Sequence, residues 1–270
     1  MGDDRPEPRA DLLAKIDATK QHPARVWNYW LGGKDNYPVD REAGEQFASL
    51  YPEIRKAARE SRQFLIRAVR FLAGDMGVRQ FLDIGTGLPT MQNTHEVAQS
   101  VAPESRIVYV DNDPLVLAHA RALLTNTTPE GVTTYVDGDV REPDLILSDA
   151  RNVLNFERPT AVLLLGILGH AAQTFEQARS IVNRLLDAVP SGSYLVILDG
   201  VEIGDDGLRE ATALHQYRLT TPDEFRSYFR DLDVVDPGLV RVNEWRPSED
   251  IHIGTFEPTR GSFACVGRKP

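Results

Sequence analysis

The spacing of hydrophobic positions changes near residue 79. Before it, apolar residues recur as they do along helices. Phe64, Leu65, Ala68, Val69 and Leu72 form one stripe at i, i+1, i+4, i+5 and i+8, which predicts a helix with a single buried face. Two helices are expected upstream. One is the aromatic segment ARVWNYWLGG, which follows Pro23 and is closed by Gly32 and Gly33. The other is REAGEQFASLY, with Asp40 as N-cap. Pro52 suits the first turn of the next helix.

Beyond residue 79, short apolar runs take over: QFLDI at 80–84, RIVYV at 106–110, VTTYV at 132–136, AVLLL at 161–165 and YLVIL at 194–198. Stretches such as PLVLAHARALL and FEQARSIVNRLLDAV, between most of them, read as helices. Near-continuously apolar strands alternating with helices predict a parallel sheet covered on both faces. Thr221, Pro222 and Glu224 mark a late helix start, and residues 239–245 and 262–267 are strand-like. The expected architecture is one doubly wound α/β domain behind an N-terminal helical extension.

Composition narrows the class. The chain has 270 residues, 41% hydrophobic and 26% charged, which is ordinary for a globular protein. Forty Asp and Glu against thirty Lys and Arg give a net charge of −10, which weighs against phosphate-backbone binding and so against a nucleic-acid partner. The charge is uneven. Residues 1–80 carry 14 basic and 12 acidic side chains, so nearly all the excess acid lies in the strand-bearing part. The arginines at 55, 59, 62, 67 and 70 are expected on the solvent face of their helix, or as a guide for an anionic ligand. Cys265 is the single cysteine. It excludes an internal disulfide and a multi-thiolate metal site, and suits a reducing cytoplasm. No apolar run reaches the ~20 residues of a membrane span, and the charged N-terminus lacks a secretory h-region.

The informative loop is FLDIGTGLPT. Gly85, Thr86 and Gly87 follow the first strand directly, and Asp111 closes the second, 24 residues after Gly87. Glycines there let a ligand approach the backbone, a following helix N-terminus offers N–H groups, and a carboxylate at that distance can accept from ribose hydroxyls. The pattern points to an adenosine-type cofactor. A dinucleotide loop wants Gly or Ala where Thr90 stands, and Asp83 would face a pyrophosphate but suits an amino group or sulfonium.

Asp83-x-Gly85-x-Gly87 resembles the first motif of class I S-adenosylmethionine-dependent methyltransferases. That resemblance implies a Rossmann-like, seven-stranded sheet, mostly parallel with its last strand antiparallel, spanning residues 59–270, with residues 1–58 as an extension or lid. It implies S-adenosyl-L-methionine as cofactor, Asp111 as the ribose acid followed by Asn112, and Asp139 and Val140 at the adenine. Gly166 and His170 would then lie beside the methyl-transfer site. The segments ARVWNYWLGGKDNYPVDREAGE, FLDIGTGLPTMQNTHEVAQ, YVDNDPLVLAHARALL and TTPDEFRSYF further resemble the actinobacterial S-adenosyl methyltransferase family, whose substrates are largely unassigned. Pro89 departs from the class pattern, because it stands where a third glycine is usual and has no N–H.

Other candidates are weaker. His170 is the candidate general base, at the sheet edge where α/β sites form. His95 reads first as a packing residue. The six histidines show no helical ligand spacing, so no metal is expected. Asn28, Lys34 and Tyr37 bring polar groups into the aromatic segment and are candidates for substrate contact or a lid. The residues of a serine hydrolase, a P-loop NTPase and a zincin are missing. The resulting expectation is methyl transfer to a small molecule. The alternatives are a protein or RNA methyltransferase, a cofactor-binding sensor or partner protein without catalysis, and an NAD-dependent oxidoreductase.

Overall fold

A computed structural model describes residues 15–90, 92–123, 126–247 and 259–270. Three helices lead the described chain: α1 (Pro23–Trp30), α2 (Pro38–Leu50) and α3 (Ile54–Gly74). The strands β1 (Gln80–Ile84), β2 (Arg106–Asp111), β3 (Val132–Asp137), β4 (Ala161–Leu165) and β5 (Tyr194–Gly200) then alternate with helices. These are α4 (Thr94–Val101), α5 (Pro114–Leu123), α6 (Pro143–Ala150), the one-turn α7 (Leu168–Ala171) and α8 (Phe175–Asp187). After β5 come α9 (Asp206–Leu214), α10 (Pro222–Ser227), the two-residue strands β6 (Asp233–Val234) and β7 (Val240–Arg241), and β8 (Ser262–Arg268).

The sheet order is β3-β2-β1-β4-β5-β8-β6, with β7 also paired to β8. The first five strands are parallel, and β8 runs antiparallel to β5. The mostly parallel, doubly wound sheet with antiparallel last strands therefore matches expectation, and with the two-residue β6 and β7 it holds eight strands among the described residues. Alternate residues serve opposite faces, as the pleat requires. Leu82, Val108, Val162 and Leu195 pack under α6 and α8. Phe81, Ile107, Ala161 and Val196 pack under α3 and α4. The order reverses between β1 and β4, where open α/β sheets form their ligand crevice at the carboxyl ends of the strands.

The chain departs from its sequence pattern in several places. Asp40 is the third residue of α2 behind the N-cap Tyr37, and Pro52 precedes Glu53, the N-cap of α3, rather than standing in its first turn. The expected strand at 239–245 pairs only at Val240 and Arg241. Arg67 captures the carbonyl oxygens of Val242 and Trp245, at 2.7 and 2.8 Å, while both side chains turn into the core. The arginine face of α3 is therefore not all solvated, for Arg67 is buried by that contact. And no helix follows the glycine loop directly. α4 starts only at Thr94, behind a capping box in which Asn93 and Glu96 satisfy its first amides.

The upstream helices have a core of their own. Val26, Trp30, Phe47 and Ile54 pack together with Leu208 and Ala211 of α9. Trp30 meets Trp27 and Phe47 edge to face at 5.6 and 5.0 Å, the geometry favoured by ring quadrupoles. Among the described residues, no helix is long and apolar enough to cross a membrane.

Candidate functional site

The glycine loop is held from below by β2. The Gly85 and Thr86 amides donate to the Val110 carbonyl, at 2.8 and 3.2 Å. The Gly87 amide donates to Asp111 Oδ2 at 2.8 Å, and Asp111 Oδ1 accepts from the Asp113 amide at 3.0 Å. One carboxylate thus organises the loops after β1 and β2 together. Burial raises its pKa, against the amides that favour the charged form. Gly85 and Gly87 lie at φ +75 and +68, a region costly for any side chain. A Cβ on Gly85 would stand 2.8 Å from Ile167, so the loops after β1 and β4 close on each other there.

These strand ends open into a cavity of about 290 Å³. Its floor includes Gly85, Thr86, Gly87, Asp111, Asn112, Asp139, Val140 and Gly166. Gly166 has φ +78, and a Cβ there or on Gly87 would project into open space. The opposite wall comes from α1, through Ala24, Trp27, Asn28 and Leu31, and from α3, through Ser61, Arg62 and Leu65. His170 and Ala171 also line it.

Of the residues singled out by sequence, most meet here. Asp139 is bound by Arg141 Nε at 2.9 Å and lies 3.3 Å from Asn112 Nδ2, and the Arg141 contact lowers its pKa. His170 turns its ring surface into the cavity, edge-on to Tyr217 at 4.7 Å. The surrounding protein, with His22 and His215 nearby, pushes its imidazole below the ordinary value. Asn28 lines the wall, and its Oδ1 accepts from the Asp35 amide and from Asn36 Nδ2.

Three candidates do not reach the cavity. Asp83 is buried beneath it, accepting from Thr94 Oγ1 at 2.6 Å, and burial raises its carboxyl to about 6. Lys34 is exposed on the turn after α1. Tyr37 packs under the Arg25 guanidinium, 5.4 Å from its centroid. His95 is buried, its amide 2.8 Å and its Nδ1 2.9 Å from the Tyr109 hydroxyl, which makes it the packing residue expected. His252 lies outside the described residues. Among those described, no cluster of His, Cys, Asp or Glu could hold a metal.

A family model described as S-adenosyl methyltransferase matches residues 9–270. The chain belongs to that family. Two solved structures resemble this methyltransferase over nearly its whole length. A DUF574 family protein from Streptomyces avermitilis MA-4680 is 41% identical, with a TM-score of 0.89, over 95% of this chain and 100% of its own. A candidate methyltransferase from Thermobifida fusca YX is 39% identical, with a TM-score of 0.87, over 97% and 98%. At 18% identity, an O-methyltransferase family 2 protein from Planctomyces limnophilus DSM 3776 shares the fold alone, with a TM-score of 0.50 over 86% of this chain and 67% of its own. No curated protein matches.

The methyltransferase uses S-adenosylmethionine, and the cavity suits that cofactor. The floor is glycine-lined with open space above Gly87 and Gly166, and a buried carboxylate sits at its rim. The volume lies near the lower end of the roughly 300–1,000 Å³ usual for small-molecule sites. The sequence marks the wall only in part, through Asn28 as a lid candidate and Arg62 as one of the arginines that could guide an anionic ligand. Leu65 belongs to the apolar stripe of its helix, whose spacing is that of any buried face. Trp27 and His22 carry no local signal, since only the packing of α1 on the sheet brings them to the cavity.

Proposed function

We propose that this methyltransferase acts on a small-molecule acceptor, bound between α1 and the carboxyl ends of β1 and β4. The observation that carries the reading is the wall itself. The cavity of about 290 Å³ has Trp27, Leu31, Leu65, Leu165 and Ile167 among its lining residues, and a partly apolar space of that size fits a compact acceptor better than a polymer. The acidic chain also disfavours a nucleic-acid acceptor.

Bound S-adenosylmethionine supplies an electrophilic methyl group on a sulfonium. The protein's part is to align an acceptor atom with it and to exclude water. In this reading Asp111 accepts from the ribose hydroxyls with Asn112 beside it, and Asp139 and the Val140 amide hold the adenine. The turn of Gly85, Thr86 and Gly87, with Gly166 opposite, gives close backbone approach. Asp83 acts from behind, tying α4 to the loop through Thr94. His170, whose cation is disfavoured by the surrounding protein and by His22 and His215 nearby, takes the proton from an acceptor hydroxyl or amine. Within residues 1–58, α1 and α2 serve as the lid, with Asn28 on its inner face and Tyr37 bracing Arg25.

The test is incubation with a methyl-labelled donor and cell extract separated into small-molecule, protein and RNA fractions. Label should enter the small-molecule fraction. Label confined to protein or RNA would overturn this reading.

A further inference from the structure

S-adenosylmethionine carries one formally anionic group, the α-carboxylate of its methionine end. A carboxylate bound in the cavity is best matched by a cationic or multiple N–H partner. The loop after β1 is a poor source, since Pro89 has no N–H and the first turn of α4 is closed by its own capping box. Two arginines line the cavity among the described residues, Arg62 and Arg141. Arg141 is exposed and held by Asp139 beyond the end of β3, beside the proposed adenine contacts. Arg62 projects from α3, whose Ser61 and Leu65 also line the cavity, and reaches Asn93 just past the glycine loop.

We propose that Arg62 binds the methionine carboxylate of the cofactor, from α3 rather than from the glycine loop. This rests on the cofactor lying in the cavity as described above. Arg62 Nη2 donates to Asn93 Oδ1 at 2.9 Å, which fixes the guanidinium over the loop. Asn93 in turn accepts from the Thr90 amide and donates to the Thr90 carbonyl. The same arginine therefore shapes the Pro89 segment and presents positive charge to the cavity. Burial lowers the pKa of Arg62, and nearby Asp83 and Glu96 offset part of that cost. A bound carboxylate offsets more, and the planar guanidinium suits its two oxygens better than an ammonium does.

Calorimetric titration of the full chain with two probes separates the contact from a structural role. The probes are S-adenosylhomocysteine and its decarboxylated analogue, which keeps the amine. In Arg62→Met, affinity for S-adenosylhomocysteine should fall about 10- to 100-fold, while affinity for the decarboxylated analogue stays unchanged or rises. Arg62→Lys should lie between. Equal weakening of both probes would overturn the proposal, because Arg62 would then only hold the loop, and so would unchanged binding of S-adenosylhomocysteine. Failure of the wild-type chain to bind either probe would overturn the cofactor placement itself.

Discussion

Asp113 joins the wall of the cavity to its floor, so Asp113→Ala should loosen α1 and weaken cofactor binding together. Asp113 is 2% exposed and is backed by the Asp111 carboxylate through its own amide. Its Oδ2 lies 2.9 Å from His22 Nδ1 and 3.2 Å from Arg25 Nε, both at the start of α1. Its Oδ1 accepts from the Leu115 amide at 2.8 Å, beginning α5. Removing one member of a buried ion pair costs about 3–5 kcal/mol, because the remaining charge stays buried. Arg25 keeps Asp40 at 3.8 Å, so the lower end, about 3 kcal/mol, is the expected local loss. That is roughly a hundredfold in the opening equilibrium. Hydrogen exchange followed by mass spectrometry should show amides of α1 exchanging about that much faster, while β4 and β5 keep their protection. Affinity for S-adenosylhomocysteine should fall with it, since Ala24, Trp27 and Leu31 line the cavity. Unchanged exchange in α1 would refute the anchoring argument, and loosened α1 with unchanged affinity would refute the coupling to the site.

Other outcomes follow from burial and close packing. Burial raises Asp83 from 3.8 to about 6 in the folded chain. The native state therefore holds that proton longer than the unfolded one, and stability falls as pH rises from 3.8 to about 6, then levels off. Asp83→Asn removes this slope. Urea midpoints of variant and wild type should agree near pH 4, and the variant should gain up to roughly 3 kcal/mol above pH 6. Parallel curves would refute it. His170 shifts the other way. Its folded value lies below 6.5, so its contribution to stability is complete above 6.5 and is lost as pH falls beneath it. The acid limb of methyl transfer should also lie below pH 6.5, and His170→Gln should abolish that limb; a limb at or above 6.5 would contradict the assignment. In Gly169→Ala the new Cβ would stand 2.6 Å from Tyr217 Cε1. That ring is pinned by Asp199 and the Gly200 amide. Overpacking should cost about 1–3 kcal/mol and lower the melting temperature by several degrees; an unchanged melting temperature would show that the ring yields freely.

The sheet was legible because its central strands, β1, β2, β4 and β5, are buried on both faces and read as near-continuous apolar runs ending where a glycine or acid begins. The same holds for the floor of the site. Gly85, Gly87 and Asp111 are local signals, set by backbone conformation and strand ends. Asp83 has the residue type of a ligand contact, yet its side chain points beneath the loop to Thr94, and alternation alone does not say which pocket a face meets. The wall was legible only in part, through Asn28 and the arginine run of α3. Trp27 and His22 reach the cavity only because α1 packs across the strand ends, a contact between residues far apart in sequence. Arg67 shows the same limit: helical spacing placed it with the solvated arginines, but two carbonyl groups from residues 242 and 245 claim it. The same contact accompanies the short strand, for the chain turns toward Arg67 directly after Val240 and Arg241.

The central claim is that cofactor and acceptor meet beneath α1. A crystal structure of the chain with S-adenosylhomocysteine tests it most directly. The adenosine should lie against Asp111 and Val140, with the sulfur facing the end of the cavity lined by Trp27, Ile167 and His170. A sulfur directed away from that wall, toward open solvent, would contradict the account.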